Sequence, residues 1–201
     1  MSLWLGDTPL VLASQSKSRQ ALLKSAGIPF DAMPADIDER RIQAGSGLKD
    51  PGAIAALLAK SKALHVASRE AGRVVVGADQ TLALKERMFS KPSGRAQAAE
   101  QLRALAGATH ELHSAIAIVR NSEILFEHVA VAKMTMRKLD DEVIEKYLDA
   151  AGPAVTTSVG AYQLEGVGVH LFERIEGDHF TILGLPLLPL LDALRKQGLA
   201  A

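Results

Sequence analysis

The chain has 201 residues, 48% of them hydrophobic and 23% charged, which is the balance of a soluble globular protein with enough length for one domain of substantial core. Its 23 Lys and Arg residues are cancelled by 23 Asp and Glu residues, so no global basic field would gather duplex nucleic acid or an anionic membrane surface. The lack of cysteine excludes structural disulfides, zinc–thiolate sites and thiol nucleophiles, and fits a reducing cytoplasm.

Met1 to Pro9 has neither a basic stretch nor a long apolar run, and no later window approaches the roughly 20 apolar residues that span a bilayer. A cytoplasmic location without export or membrane insertion is expected. The apolar run Leu10-Val11-Leu12-Ala13 is too short for a helix and reads as a buried strand, ended by the hydroxyl-rich stretch Ser14 to Arg19. From Ser18 the spacing turns helical, with Leu22, Leu23 and Ala26 on one face and Gly27 as the stop. Phe30 to Ile37 alternates weakly as a second strand before the charged cluster Asp36 to Arg41, and Gly45 to Gly52 reads as a loop.

Pro51 suits the first turn of a helix whose packed face is predicted as Ile54, Leu57, Leu58, Ser61 and Leu64, with Lys60 and Lys62 on different sides. Val74 to Asp79 is the most β-prone segment, and its carboxylate arrives at the C-terminal end, where open α/β sheets bind ligands. Ser90-Lys91-Pro92 follows a short hairpin, and Arg95 to Leu105 is a helix with an alanine-rich face. Thr109 to Arg120 and Glu123 to Lys138 read as long antiparallel strands joined at Asn121-Ser122, followed by a helix over Asp140 to Ala150. The runs Val169 to Ile175 and Ile182 to Leu188 precede a closing helix to Lys196. No internal repeat or low-complexity linker interrupts a single domain over residues 1–201.

Three places carry chemistry. At Ser14, Ser16, Lys17, Ser18 and Arg19 a strand feeds a helix, so hydroxyls, backbone N–H groups and two cations converge as a phosphate site would require; helix capping by Ser16 or Ser18 is the plainer reading. Asp79 at the end of a buried strand needs a counter-charge, a metal or water to offset its desolvation. Glu39 is a second acid, in a stretch that otherwise reads as a charged loop. Two carboxylates can hold Mg²⁺ or Mn²⁺ through oxygen, while Arg19, Lys62 and Lys91 neutralise a polyphosphate. The chain lacks GxxxxGK[ST], HExxH, G-x-G-x-x-G and G-x-S-x-G, and its 6 histidines are scattered, which disfavours P-loop, zinc, dinucleotide and serine-hydrolase readings.

Taken in order, the motifs Leu12-Ala13-Ser14-Gln15-Ser16-Lys17-Ser18-Arg19, Asp36-Ile37-Asp38-Glu39, Lys60-Ser61-Lys62-Ala63, Gly77-Ala78-Asp79, Ser90-Lys91-Pro92, Thr109-His110, Gly160-Ala161-Tyr162 and Gly184-Leu185-Pro186 resemble the Maf family over nearly the whole chain. The resemblance implies a Maf-like, ITPase-like α/β fold: a long curved mixed sheet flanked by helices, with a cleft between two lobes and usually a dimer. It implies hydrolysis of a nucleoside triphosphate to monophosphate and pyrophosphate with a divalent cation. On that basis Asp79 is the catalytic carboxylate, as base or metal ligand, and Glu39 joins it at the metal. Ser14, Ser16, Arg19, Lys62 and Lys91 bind phosphate.

Ser18, Gln80 and Glu165 stand at the places that resemble the family's base-specificity positions. Gln80 and Glu165 match the 7-methyl-GTP pattern, whereas Ser18 matches no pattern and Ser158 replaces a lysine usual before the Gly-Ala-Tyr motif. A carboxylate accepts from the guanine N1 and N2 hydrogens and attracts a positively charged methylated ring. Two alternatives are a nucleotide-sensing regulator of septum formation, separable by binding without turnover, and a phosphatase of small phosphoesters, separable by its products.

Overall fold

The computed structural model describes residues 3–201. Seven strands form one mixed sheet in the order β2-β1-β3-β5-β6-β7: β1 (Leu10–Leu12), β2 (Phe30–Ala32), β3 (Val74–Leu84), β5 (Thr109–Arg120), β6 (Glu123–Met136) and β7 (Phe172–Glu176), with β4 (Arg87–Phe89) paired to β3. β1 runs parallel to β2 and to β3, whereas β4 on β3 and β7 on β6 are antiparallel. The helices are α1 (Lys17–Ser25), α2 (Glu39–Ser46), α3 (Pro51–Ala67), α4 (Arg95–Leu105), α5 (Asp141–Ala151), α6 (His179–Ile182) and α7 (Leu187–Lys196).

The chain divides into two compact units. The first comprises the chain up to Gln80 together with Ser114–Ala130 and Asp178–Ala201. Its part of the sheet is covered on both faces, as a central run of valines without polar alternation requires. On one face Leu10, Leu12, Val74, Val76, Ile116 and Ile118 pack with Leu22 and Leu23 of α1 and Leu190 and Leu194 of α7. On the other, Val11, Val75, Ala115 and Ala117 pack with Ala55, Ala59 and Ala63 of α3.

Small residues on α3 let its axis approach β3 closely. A Cβ at Gly77 would lie 2.1 Å from the Ala59 carbonyl oxygen and 2.8 Å from the Ala63 nitrogen, so only glycine admits the helix at this distance. The buried stripe of α3 is therefore Ile54, Ala55, Leu58, Ala59, Lys62, Ala63, Val66 and Ala67. This corrects the predicted face: Leu57, Ser61 and Leu64 are only half-buried. Lys60 and Lys62 do diverge, Lys60 meeting Glu127 near the surface while Lys62 is buried.

The second unit contains Thr81–His113 and Val131–Gly177. Its helices α4 and α5 pack together and are tied at the surface by Arg95 to Glu145 and Arg103 to Asp141. Within it His110 Nε2 lies 2.7 Å from the Tyr162 hydroxyl, with the Phe172 ring edge-on to Tyr162. The Tyr147 hydroxyl donates to the Ala161 carbonyl.

Three segments differ from their sequence reading. The central strand β3 does not end at Asp79 but runs on to Leu84, where pairing with β4 extends it, so Asp79 sits within the strand. The second strand stops at Ala32 instead of continuing to Ile37. The charged cluster is not a loop: Asp38 accepts from the Arg41 N–H as an N-cap, and an exposed helix α2 runs from Glu39 through Gly45 to Ser46, closed by Gly47. With no buried residue, α2 leaves no apolar stripe by which periodicity could reveal it.

Candidate functional site

The parallel register sets the site in the first unit. Leu12 lies opposite Val76, so β1 ends at the level where β3 still has Ala78, Asp79 and Gln80 to run. The chain leaving β1 turns through Ser14 into α1, with Ser16 as N-cap accepting from the Arg19 N–H at 3.4 Å. Alternation along β3 sends Asp79 to the same face as Gly77, toward α3, and Gln80 to the face of Val76 and Ala78.

Because Gly77 brings α3 close, the Lys62 ammonium reaches Asp79 Oδ1 at 2.6 Å and Glu39 Oε1 at 2.8 Å. One cation thus sits between two carboxylates from a strand and a separate helix. Asp79 and Lys62 are buried, whereas the Glu39 side chain is 49% exposed. Burial pushes the Asp79 carboxyl above its ordinary range; the charges of Lys62 and Arg19 oppose that rise, and Glu39 adds to it.

Arg19 is anchored at three points. Its Nε donates to the Gly184 carbonyl at 2.7 Å, and its Nη1 to Ser14 Oγ at 3.1 Å and the Ala78 carbonyl at 2.9 Å. These bonds fix the guanidinium plane between β1, β3 and the turn after α6, and they leave Nη2 for a further acceptor. Burial lowers the Arg19 pKa, and the Asp79 and Glu39 charges counter it. Ser14 Oγ also accepts from the Ser16 N–H, so its hydroxyl proton is directed away from both donors.

Gln80 is held with similar economy. Its Nε2, with two hydrogens, lies within hydrogen-bond reach of three acceptors that share them: Ser114 Oγ at 2.8 Å, the Thr181 carbonyl at 3.1 Å and the Ile182 carbonyl at 3.0 Å. Ser114 Oγ in turn donates to the Thr181 carbonyl at 2.7 Å. Asp178 caps α6 by accepting from the Thr181 N–H and hydroxyl.

Of the residues singled out in the sequence, six belong to this unit and form two bonded sets, Ser14 with Ser16 and Arg19, and Lys62 with Glu39 and Asp79, brought side by side by the bond from Arg19 to the Ala78 carbonyl. Ser18 lies in the first turn of α1. Lys91 and Glu165 belong to the second unit. Lys91 is exposed just after β4, where Gln101 Nε2 donates to the Ser90 carbonyl, and Glu165 is exposed in the turn preceding Val167–Leu171. Ser158 precedes the short Val159–Ala161 turn. Sequence reasoning missed Ser114 and the carbonyls of Thr181 and Ile182; a lone serine inside a hydrophobic strand and two ordinary backbone oxygens leave no motif to find.

Among the described residues, no group of three or more His, Cys, Asp and Glu side chains is placed to hold a metal ion. Two carboxylate oxygens do converge on one cationic position, held by the Lys62 ammonium. Mg²⁺ takes one or two protein carboxylates and completes its shell with water and phosphate oxygens, so Asp79 and Glu39 fit a cation shared with a polyphosphate.

Fold and site together define an α/β protein that gathers opposed charges where β1 ends beside the continuing β3. Residues 9–197 match the profile described as "Maf-like protein", and the chain belongs to that family. It is 66% identical to a nucleoside triphosphate pyrophosphatase of Rhodopseudomonas palustris (strain HaA2) over 201 residues, covering 100% of both chains. A protein of the same name from Bradyrhizobium diazoefficiens is 62% identical over 100% of both chains. A 7-methyl-GTP pyrophosphatase of Rhizobium etli is 52% identical over 192 residues, 94% of this chain and 96% of that one. Among the described residues no helix is long and apolar enough to cross a membrane.

Proposed function

We propose that the chain hydrolyses the α–β phosphoanhydride of nucleoside triphosphates, releasing monophosphate and pyrophosphate. The observation that carries this reading is the Asp79–Lys62–Glu39 cluster beside the anchored Arg19, supported by full-length relatives named nucleoside triphosphate pyrophosphatases. A water oxygen bonds to the α phosphorus, the bond from that phosphorus to the bridging oxygen breaks, and pyrophosphate departs with the electron pair. Asp79, whose burial raises its proton affinity, takes the water proton.

The Ser14 hydroxyl and Arg19 Nη2 donate to phosphate oxygens, and Lys62 both steadies Asp79 and offsets charge growing on the leaving group. Ser16 holds the turn that presents them, and Lys91 is assigned as a further cation for the polyphosphate on the family resemblance. Asp79 and Glu39 would hold a Mg²⁺ or Mn²⁺ that, when bound, lowers the barrier by polarising phosphate oxygens and its own water. The substrate is a free nucleotide in the cytoplasm, taken by a homodimer.

Base recognition is assigned to Ser18, Gln80 and Glu165 on the family resemblance, and the acceptor chemistry of Gln80 and Glu165 favours guanine-type bases including 7-methyl-GTP. The 52% identical relative of that name supports the finer reading. Incubating the chain with Mg²⁺ or Mn²⁺ and a panel of triphosphates, and separating the products, tests both levels. Monophosphate with pyrophosphate is expected. Orthophosphate alone would overturn the cleavage position, and binding without turnover under either metal would favour a sensing role.

A further inference from the structure

The Gln80 amide is surrounded on one side only by acceptors. The carbonyl oxygens of Thr181 and Ile182 can accept and never donate, and they lie 3.1 and 3.0 Å from Nε2. Ser114 Oγ is the third neighbour, at 2.8 Å, and a hydroxyl could play either part. Its single proton is already committed to the Thr181 carbonyl at 2.7 Å, which leaves it a lone pair for Gln80. Turning the amide over would set a carbonyl oxygen against two carbonyls and a lone pair, so the two ends of the Gln80 side chain cannot exchange.

The other end is then an oxygen by necessity. The bonds of Gln80 to the described residues all run through Nε2, and Oε1 is not among the buried unpartnered atoms. It lies on the Gly184 side: a Cβ there would be 3.6 Å from Oε1, 3.3 Å from Arg19 Nε and 3.4 Å from Arg19 Nη2. Gly184, at φ +87, lets the Arg19 guanidinium and the Gln80 carbonyl share one place.

We propose that Ser114 is a positioning residue that locks Gln80 into presenting only its carbonyl oxygen, so that the site takes nucleobases offering an N–H donor at that point. This rests on the nucleotide reading given above. Ser114 is fully buried, so it acts through Gln80, by spending its proton on Thr181. Guanine, with its imino and amino hydrogens, meets the requirement, and a base presenting only a carbonyl acceptor there does not.

The first test needs no turnover. In the full chain with labelled glutamine, the Gln80 side-chain N–H₂ signals, identified by their loss in Gln80→Met, are expected to exchange with solvent at least roughly tenfold more slowly than those of exposed Gln15 and Gln197. Adding α,β-methylene GTP should move the Gln80 side-chain carbonyl carbon and leave both N–H protons protected. Rapid exchange, or nucleotide-induced movement of the N–H₂ signals alone, would overturn the proposal.

The second test uses Ser114→Ala. KM for GTP should rise roughly tenfold with kcat changed less than about twofold, while the inhibition constant of inorganic tripolyphosphate, which has no base, stays unchanged. Equal weakening of both, or of neither, would reduce Ser114 to a packing role. A wild-type chain that releases no pyrophosphate would defeat the proposed activity, whereas the exchange measurement still decides the amide lock.

Discussion

Each unit buries polar side chains, and the two do it in opposite ways. In the first, Asp79 and Lys62 are buried with their charges, held by ion pairs to each other and to Glu39. In the second, His110 is fully enclosed beside Tyr162 and Phe172 with no charged partner; burial drives its pKa down to about 4, and pushes the Tyr147 hydroxyl up to about 12 and Tyr162 further in the same direction. A neutral ring that meets one hydroxyl through Nε2, its buried Nδ1 finding no partner among the described residues, is a packing solution. A charged cluster that burial opposes is retained at a cost in stability, and such clusters mark places where charge is used.

The signs of the two titrations separate these roles. The folded His110 pKa lies below its ordinary 6.5, so the unfolded chain binds more protons between that value and about 4. Its contribution is fully present above pH 6.5 and lost as the pH falls toward 4. The folded Asp79 pKa lies above the ordinary 3.8, so in the metal-free chain stability is greatest below that value and lost as the pH rises through the folded pKa.

The largest expected effect is on turnover. Asp79→Asn should lower kcat by about 10² to 10⁴, the range lost with a general base, while Tm of the metal-free chain at neutral pH stays level or rises. A clear fall in Tm would mean that pairing with Lys62 outweighs burial, and the contrast between the units would weaken. Gly77→Ala should destabilise by about 3 kcal/mol, because the new methyl meets the Ala59 carbonyl and drives α3 from β3. Denaturant unfolding checks this; a change within error would show that the close approach is not needed to join Lys62 to Asp79.

On the neutral side, His110 should remove about 3 kcal/mol of stability between pH 6.5 and about 4. His110→Gln, which keeps a hydrogen-bonding group without titrating there, should flatten that part of the pH–stability profile; an unchanged slope would assign the acid limb to other groups. The smallest effect belongs to the exposed Lys146–Glu142 pair of α5, whose side chains are 73% and 76% open to solvent. Lys146→Ala should shift Tm by no more than about 1 °C.

Much of this arrangement was legible from the residues. Short β1, the helix at Arg95–Leu105 and the hairpin strands all follow from periodicity and turn chemistry, and the Maf resemblance covers the region that the family profile matches. Asp79, read as a strand end because the valine run stops there, lies inside β3, which continues to Leu84. The exposed helix α2 was not legible, because its N-cap and charged face carry no buried stripe. The packed face of α3 was misread because leucines outrank alanines by hydrophobicity, whereas Gly77 selects small residues at the helix–sheet contact. The charge pairings became visible only in space: Lys62 reaches Asp79 across 17 residues, and Arg19 reaches Gly184 across 165. Ser114 illustrates the limit, since its role depends on where one hydroxyl proton goes.

Hydrolysis in ¹⁸O-labelled water, with the products resolved by mass, probes the charged cluster most directly. The label is expected in the nucleoside monophosphate and not in pyrophosphate, with incorporation collapsing in Asp79→Asn. Label in pyrophosphate or orthophosphate, or undiminished labelling by Asp79→Asn, would contradict attack at the α phosphorus assisted by this carboxylate.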